Sequence, residues 1–417
     1  METELPTIGC MILYKDELVH LKRLVPQVTE AFDEVVFVTN KEPSTDGSDE
    51  FLATHGIEPL RMKWVDSFAV ARQFGLDRCT CDYTMWMDCD DDLVTECESW
   101  AEAKLQVKEF LASTPRNSYT HRVYFEDRKD YWTRVNWFHK DSGVKVKYPA
   151  HEVYLCDGPR EDFPKGLIDR RNAPLRPDYK GKNWRYYEVL SRYLEEVDPR
   201  DARCKYYLAR EIRGSHVAQM ALYLDYLTQV QASEKYMNFS EEWASVFALY
   251  CMREHIPNRQ LDWEQLKRIA QNMILRYPFE FAAQVLYCMV MCEKEPSEAI
   301  ALRFHQVIHD RQKYRTGRAP NLRGWYYQRA LNSCGYYLFK ISVLTGSDEL
   351  ARLSVRTFED ALSTPEPMES ASTLASNNLR MAEGWLSGFP PLESSDNEAL
   401  IADSLSRLGD RLQEASD

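Results

Sequence analysis

Four carboxylates crowd one stretch of this chain: Asp88, Asp90, Asp91 and Asp92, in Met85-Trp86-Met87-Asp88-Cys89-Asp90-Asp91-Asp92. Like charges set side by side repel and raise one another's pKa unless something positive sits among them. A divalent cation such as Mg²⁺ or Mn²⁺, with its hard oxygen ligands, is a natural neutraliser. The alternative is a solvated acidic turn that caps a following helix. The position of the run favours the metal. It directly follows Tyr83–Met87 (YTMWM), an apolar segment of buried-strand type, and open α/β sheets hold ligands at the C-terminal ends of their strands.

The elements that must position this run alternate. Ile8–Leu13 and Glu34–Thr39 (EVVFVT) read as buried strands, with a short strand near Pro59–Trp64 before Tyr83–Met87. Between them Asp16–Val28, Ser44–Leu52 and Ser67–Arg78 carry apolar residues at helical spacing. Strands alternating with helices predict a parallel sheet covered on both faces. From Asn183 onward the strand signal stops. Segments 183–196, 200–213, 215–231, 240–254, 262–276, 279–293, 297–311, 322–345, 347–363 and 372–387 all read as helices, many closed by turns such as Tyr277-Pro278 and Glu295-Pro296. Helix pairs with small and aromatic residues on facing sides predict a helical-repeat array, or else an irregular bundle.

Composition narrows the function. The 417 residues carry 65 Asp and Glu against 52 Lys and Arg, a net charge of −13 that argues against broad attraction to nucleic acid or anionic lipid. Arg160–Arg185 is a local exception, with eight basic residues against four acidic. The eleven cysteines are odd in number and scattered, which speaks against a disulfide framework and for a reducing compartment. No stretch approaches the roughly 18 apolar residues of a membrane span, and the acidic N-terminus lacks a basic leader. The expectation is a cytoplasmic protein without membrane attachment.

The order CMILYKDE, DEVVFVTN…STDGS, DSFAVARQFGLDRC, YTMWMDCDDDLV and YPAHEVYL resembles family 2 glycosyltransferases of the GT-A type, over roughly residues 7–180. The helical remainder looks like the tetratricopeptide-type extensions of some bacterial and phage members, and bacteriocin-peptide S-glycosyltransferases share a similar two-part plan. The resemblance implies a Rossmann-like α/β GT-A domain with a mostly parallel sheet over residues 1–180. An all-α, tetratricopeptide-like acceptor or partner domain would follow over 181–390, with an acidic helix or tail over 391–417.

It also assigns residues. Asp88 and Asp90 match the Asp-x-Asp motif that contacts the donor ribose and a Mn²⁺ or Mg²⁺ ion bridging the diphosphate, with Asp91 as a supporting or alternative ligand. A metal there stabilises charge developing on a nucleotide diphosphate leaving group. Arg72, in AVARQ, matches the family arginine beside the nucleotide; a surface helix arginine is the alternative. Asp16-Glu17 stands where the family has Asn-Glu near the nucleobase, which makes Glu17 a donor-binding candidate. Thr39-Asn40 occupies the place of the aspartate that reads the base. Asp46, in the Ser-Thr-Asp-Gly turn, either binds donor or caps the next helix, beside a Gly47 of special backbone angle. His151 would ligate the metal as a neutral imidazole and Glu152 would take the acceptor proton; a packed core histidine is the alternative for His151. Asp162, in Glu161-Asp162, resembles a second form of the acidic base. Basic residues Lys165, Arg170, Arg171, Arg176, Lys180 and Lys182 resemble a segment that gives a cation to the diphosphate, or form an exposed linker.

The activity implied is transfer of a sugar from a nucleotide-sugar, a UDP-sugar first, to a macromolecular acceptor by inverting displacement. A protein or peptide side chain leads as acceptor, because helical-repeat grooves commonly hold polypeptide. A hydroxymethylated base in phage DNA is the enzymatic alternative, and a non-catalytic scaffold with a degenerate GT-A domain is the reading from another class.

Overall fold

A computed structural model describes residues 4–125, 131–172, 182–212, 215–233, 238–253, 261–314, 323–364 and 369–387. The proposed tail 391–417 and the linker residues Arg176 and Lys180 lie outside these. The chain divides into two compact units, Met1–Pro199 and Arg200–Asp417.

The first unit is built on one mixed sheet. Strands β1 (Ile8–Leu13), β2 (Glu34–Asn40), β3 (Leu60–Met62) and β4 (Tyr83–Asp88) alternate with helices α1 (Leu18–Ala31), α2 (Ser48–Thr54) and α3 (Phe68–Leu76). They form the parallel half of the sheet in the order β3-β2-β1-β4. Chain continues through β5 (Asp91–Val94), α4 (Trp100–Ser113), β6 (Ser118–Phe125) and β7 (Tyr131–His139), then β8 (Lys145–Lys147), β9 (Val153–Leu155), β10 (Arg160–Asp162) and β11 (Asp169–Asn172). The order runs on from β4 as β7-β6-β11-β5, with β10 also on β6 and β8-β9 as a separate ribbon.

Alternation along β1 explains why this sheet is covered on both sides. Ile8, Cys10 and Ile12 point into one core with Leu21, Leu24 and Val28 of α1 and Val107 of α4. Met11 points into the other, with Val38, Ala71 of α3, Trp86 and Tyr154. Gly75 permits the close seat of α3: a Cβ there would lie 2.7 Å from Met11 Cγ and 2.8 Å from Val38 Cγ2. Helix α5 (Lys182–Glu196) completes the unit.

The second unit is helical throughout its described residues: α6 (Ala202–Glu211), α7 (His216–Gln231), α8 (Phe239–Arg253), α9 (Trp263–Arg276), α10 (Phe281–Lys294), α11 (Glu298–His309), α12 (Arg323–Thr345), α13 (Asp348–Leu362) and α14 (Glu369–Leu386). Each packs on the next in sequence, and α8, α10, α12 and α14 also touch one another in succession. That is the neighbour pattern of stacked helix pairs. Side chains of Asp201, Ser215, Asp262, Ser297 and Ser347 cap the helices they precede, each worth about 1 kcal/mol. Helix α10 is buried on every side from Phe281 to Cys292, as a helix apolar all round must be. All eleven cysteines are free, and among the described residues no helix is long and apolar enough to cross a membrane.

Candidate active site

The C-terminal ends of β1, β2 and β4 converge, and the loops leaving them are tied to one another. At the end of β1 the Tyr14 hydroxyl donates to Asp49 Oδ1 (2.6 Å), whose other oxygen accepts from Arg61 Nη2 and the Ser44 amide. Thr39, 4% exposed, lies beside that phenol, while the Asn40 side-chain oxygen Oδ1 accepts from the Lys41 and Trp64 amides. Asp46 is a stitch between helix starts: Oδ2 accepts from the Leu18 amide, and Oδ1 from the amide and hydroxyl of Ser48. Burial alone would raise its pKa, but these bonds outweigh burial and hold it below the usual carboxylate range. Both of its oxygens thus serve the chain. Glu17 stands just ahead of α1, with its amide on Ser48 Oγ and its carboxylate 3.7 Å from His20 Nε2.

The acidic run does not form a solvated turn. Asp88 ends β4, Cys89 and Asp90 turn, and Asp91 and Asp92 begin β5, 3% and 4% exposed. Strand β11 lies antiparallel to β5, with Leu93 opposite Arg170 and Asp92 opposite Arg171. Arg170, 1% exposed, places Nε 2.8 Å from Asp91 Oδ2, Nη1 on the Trp86 carbonyl, and Nη2 on Asp91 and, at 3.4 Å, on Asp88 Oδ2. Asp92 accepts from Arg23 of α1 and from Arg171. Arginines therefore supply neutralising charge to Asp91 and Asp92 and also reach Asp88. Burial is the main force on Asp91, raising its pKa to about 6; Arg170 works the other way, and Asp88 and Asp90 add to the rise.

Arg72 joins two other residues singled out in the sequence, Asp88 and Glu152. Helix α3 starts at Phe68, whose amide donates to the Pro149 carbonyl at 2.8 Å. One turn on, Arg72 Nε donates to Glu152 Oε1 (3.1 Å) and Nη2 to Asp88 Oδ1 (2.5 Å). Its guanidinium carbon and that of Arg170 lie 4.3 and 4.8 Å from the Trp86 ring centre, and Tyr154 stacks on the same ring at 4.8 Å. Nη1 of Arg72 is buried and has no hydrogen-bond acceptor. His151 precedes Glu152 at φ +52°, its ring 5.1 Å from that of Tyr186 on α5. The other non-glycine residues at positive φ among those described are Asp16, Asp66 and Tyr148, all on loops beside these strand ends or the His151 turn. Such strain concentrates at functional sites.

Other candidates are elsewhere or engaged. Asp162 is exposed in β10, paired with Thr120 of β6. It lies three strands from β4, about 14 Å across at about 4.8 Å per strand, so the topology does not bring it to Arg72 and Asp88. Lys165 pairs with Glu96, and Arg170 and Arg171 are committed to the acidic run. Three of the band's described cations are thus engaged with carboxylates. Arg23, Trp86 and the ion-pair role of Arg170 were missed in the sequence. The available signal was Arg170-Arg171, two adjacent cations able to answer two adjacent buried aspartates.

Among the described residues, no three His, Cys, Asp or Glu side chains group to hold a metal ion. Asp88 and Asp90 offer hard oxygen donors that fit Mg²⁺ or Mn²⁺ when substrate phosphate and water fill most of the remaining positions.

Residues 14–145 match the sequence model of Glycosyl transferase family 2. A TPR repeat-containing protein of Synechococcus elongatus is 25% identical over 144 residues, 34% of this chain and 34% of that protein. The chain thus spans about a third of the length of this curated relative. The crystal structure of S. aureus TarS residues 1–349 in complex with UDP is 9% identical, covering 73% of this chain and 92% of that one with a TM-score of 0.34.

Proposed function

We propose, from the match of residues 14–145 to Glycosyl transferase family 2, that the protein moves a sugar from a nucleotide-sugar, a UDP-sugar first, to a macromolecular acceptor. The observation that carries this reading is Arg72 Nη1, buried between Asp88 and Glu152 with its N–H groups unused. A buried donor without an acceptor costs about 1–3 kcal/mol, and a phosphate oxygen of the donor substrate would satisfy it. Arg72 is also held in a fixed fork, the arrangement suited to an anion.

In this proposal Asp88 and Asp90 hold the divalent ion, which when bound would offset the charge of the diphosphate. His151, next to the base in sequence, would add a neutral imidazole to that set. Glu152, fixed by Arg72 through Oε1, takes the proton of the acceptor hydroxyl or thiol as its oxygen or sulfur bonds to the anomeric carbon. The bond from that carbon to the diphosphate oxygen breaks on the opposite face, and its electron pair leaves with the nucleotide. Configuration inverts. The leading acceptor is a protein or peptide side chain presented by the helical unit.

The test is nucleotide release from a panel of UDP-, GDP-, CDP- and dTDP-sugars with Mn²⁺, in wild type, Asp90→Ala and Glu152→Gln. One donor should be hydrolysed slowly by wild type, with the rate lost in Asp90→Ala and in EDTA. No hydrolysis of any donor, together with no donor-dependent rise in melting temperature, would overturn the reading. Duplex DNA binding that falls steeply with salt would move the acceptor to nucleic acid.

A further inference from the structure

Helix α11 carries His305 and His309 one turn apart. Ala301, Phe304, Val307 and Ile308 of this helix are buried in the core of the second unit, so its rotation about its own axis is fixed. His305 is left half-buried and His309 exposed. Their rings lie 4.1 Å apart between centres, and the two Nε2 atoms approach to 2.9 Å. Without a ligand, one nitrogen donates a hydrogen to the lone pair of the other.

That separation has a second meaning. Two imidazole nitrogens bound to one ion at about 2.05 Å and at right angles lie about 2.9 Å apart, whereas a tetrahedral angle sets them about 3.3 Å apart. The observed distance is the right-angled edge. We propose that His305 and His309 form a chelating site for a divalent ion of tetragonal preference, Cu²⁺ or Ni²⁺, that nothing in the catalytic reading uses. The ion takes the place of the shared hydrogen: both Nε2 lone pairs turn to it and each ring keeps its one hydrogen on Nδ1. Asp360 of α13 adds attractive negative charge near His305. No third His, Cys, Asp or Glu among the described residues completes a closed site, so the remaining positions are open to water. The site lies wholly in the second unit and does not depend on how the first is read.

The test uses the full chain, freed of any purification tag, titrated calorimetrically with NiCl₂ and followed with CuSO₄ by its visible absorption. Wild type should bind one equivalent. His309→Gln, an exposed change that leaves the core untouched, and His305→Gln should each weaken that binding on the order of a hundredfold, because one ring gives up the chelate. Ni²⁺ should raise the melting temperature of wild type and not of either variant, since the clamp exists only in the folded helix. Equal Ni²⁺ affinity in wild type and both variants, or no binding by wild type, would overturn the proposal.

Discussion

Arg72 in the first unit and Arg276 in the second are both largely buried arginines locked onto carboxylates, yet they are used differently. Arg276 directs Nε and Nη2 to Glu242 Oε1 at 3.1 and 2.9 Å and Nη1 to the Ser233 carbonyl at 2.9 Å. Tyr277 adds its hydroxyl to the same Glu242 oxygen. Every nitrogen of that guanidinium is used, and the arrangement joins α8 to α9. Arg72 holds Glu152 and Asp88 in the same way but leaves Nη1 with no acceptor. A fully used guanidinium is a fastening; one with an idle edge inside the protein is a socket. Arg170 sits beside Arg72 on the same indole, yet belongs with Arg276, since all three of its nitrogens have acceptors.

The comparison breaks most visibly at Arg170. Arg170→Met leaves Asp91 buried without its counter-ion and should cost about 3–5 kcal/mol in a denaturant melt. Adding Asp91→Asn should recover much of that loss; no recovery would deny that the pair acts as a unit. Arg72→Ala and Arg276→Ala then separate socket from fastening. Arg276→Ala should lower stability by about 3 kcal/mol and leave the donor KM unchanged. Arg72→Ala should also reduce kcat/KM for the donor by about a hundredfold, and Arg72→Lys should restore the charge but not the fork. Equal effects of the two alanine variants on KM would erase the distinction.

The effect that develops most gradually is a pH slope. His121 is fully buried, donates from Nε2 to the Ile168 carbonyl and receives the Asn136 amide on Nδ1 at 3.3 Å. Burial first, then Arg170, pushes its pKa down to about 3. The unfolded chain takes up that proton near pH 6.5 while the folded protein refuses it. This contribution is complete above about pH 6.5 and drains away as pH falls toward 3, by up to about 1.4 kcal/mol per unit. His121→Gln should flatten the decline in melting temperature between pH 6.5 and 4; an unchanged slope would place the acid sensitivity elsewhere.

Much of this architecture was legible in the residues. Apolar runs such as EVVFVT and long helical periods marked the first four strands and the ten helices from α5 to α14, because those elements bury their own pattern. The strands after Asp88 were not legible. Segments such as DDLV, KVK, RED and DRRN are three or four residues long and heavily charged, and partner strands, rather than internal alternation, make them β. The site followed the same division. Asp88, Arg72 and Glu152 could each be singled out, but their joining through one guanidinium depends on the Pro149–Glu152 turn folding back onto α3. Asp91 and Asp92 read as part of a metal-binding run because the arginines that pair with them come from 69 to 79 residues away in sequence.

One hydrogen atom governs how tightly that guanidinium is aimed. Gly75 lies three residues after Arg72 on α3, where a methyl would press into Met11 and Val38. Glycine inside a helix costs about 1 kcal/mol relative to alanine, and the chain accepts it. Helix α3 behaves as a lever whose fulcrum is that bare Cα. Any thickening there lifts the arm that carries Arg72, and a substitution touching no polar group could misalign the site by tilt alone.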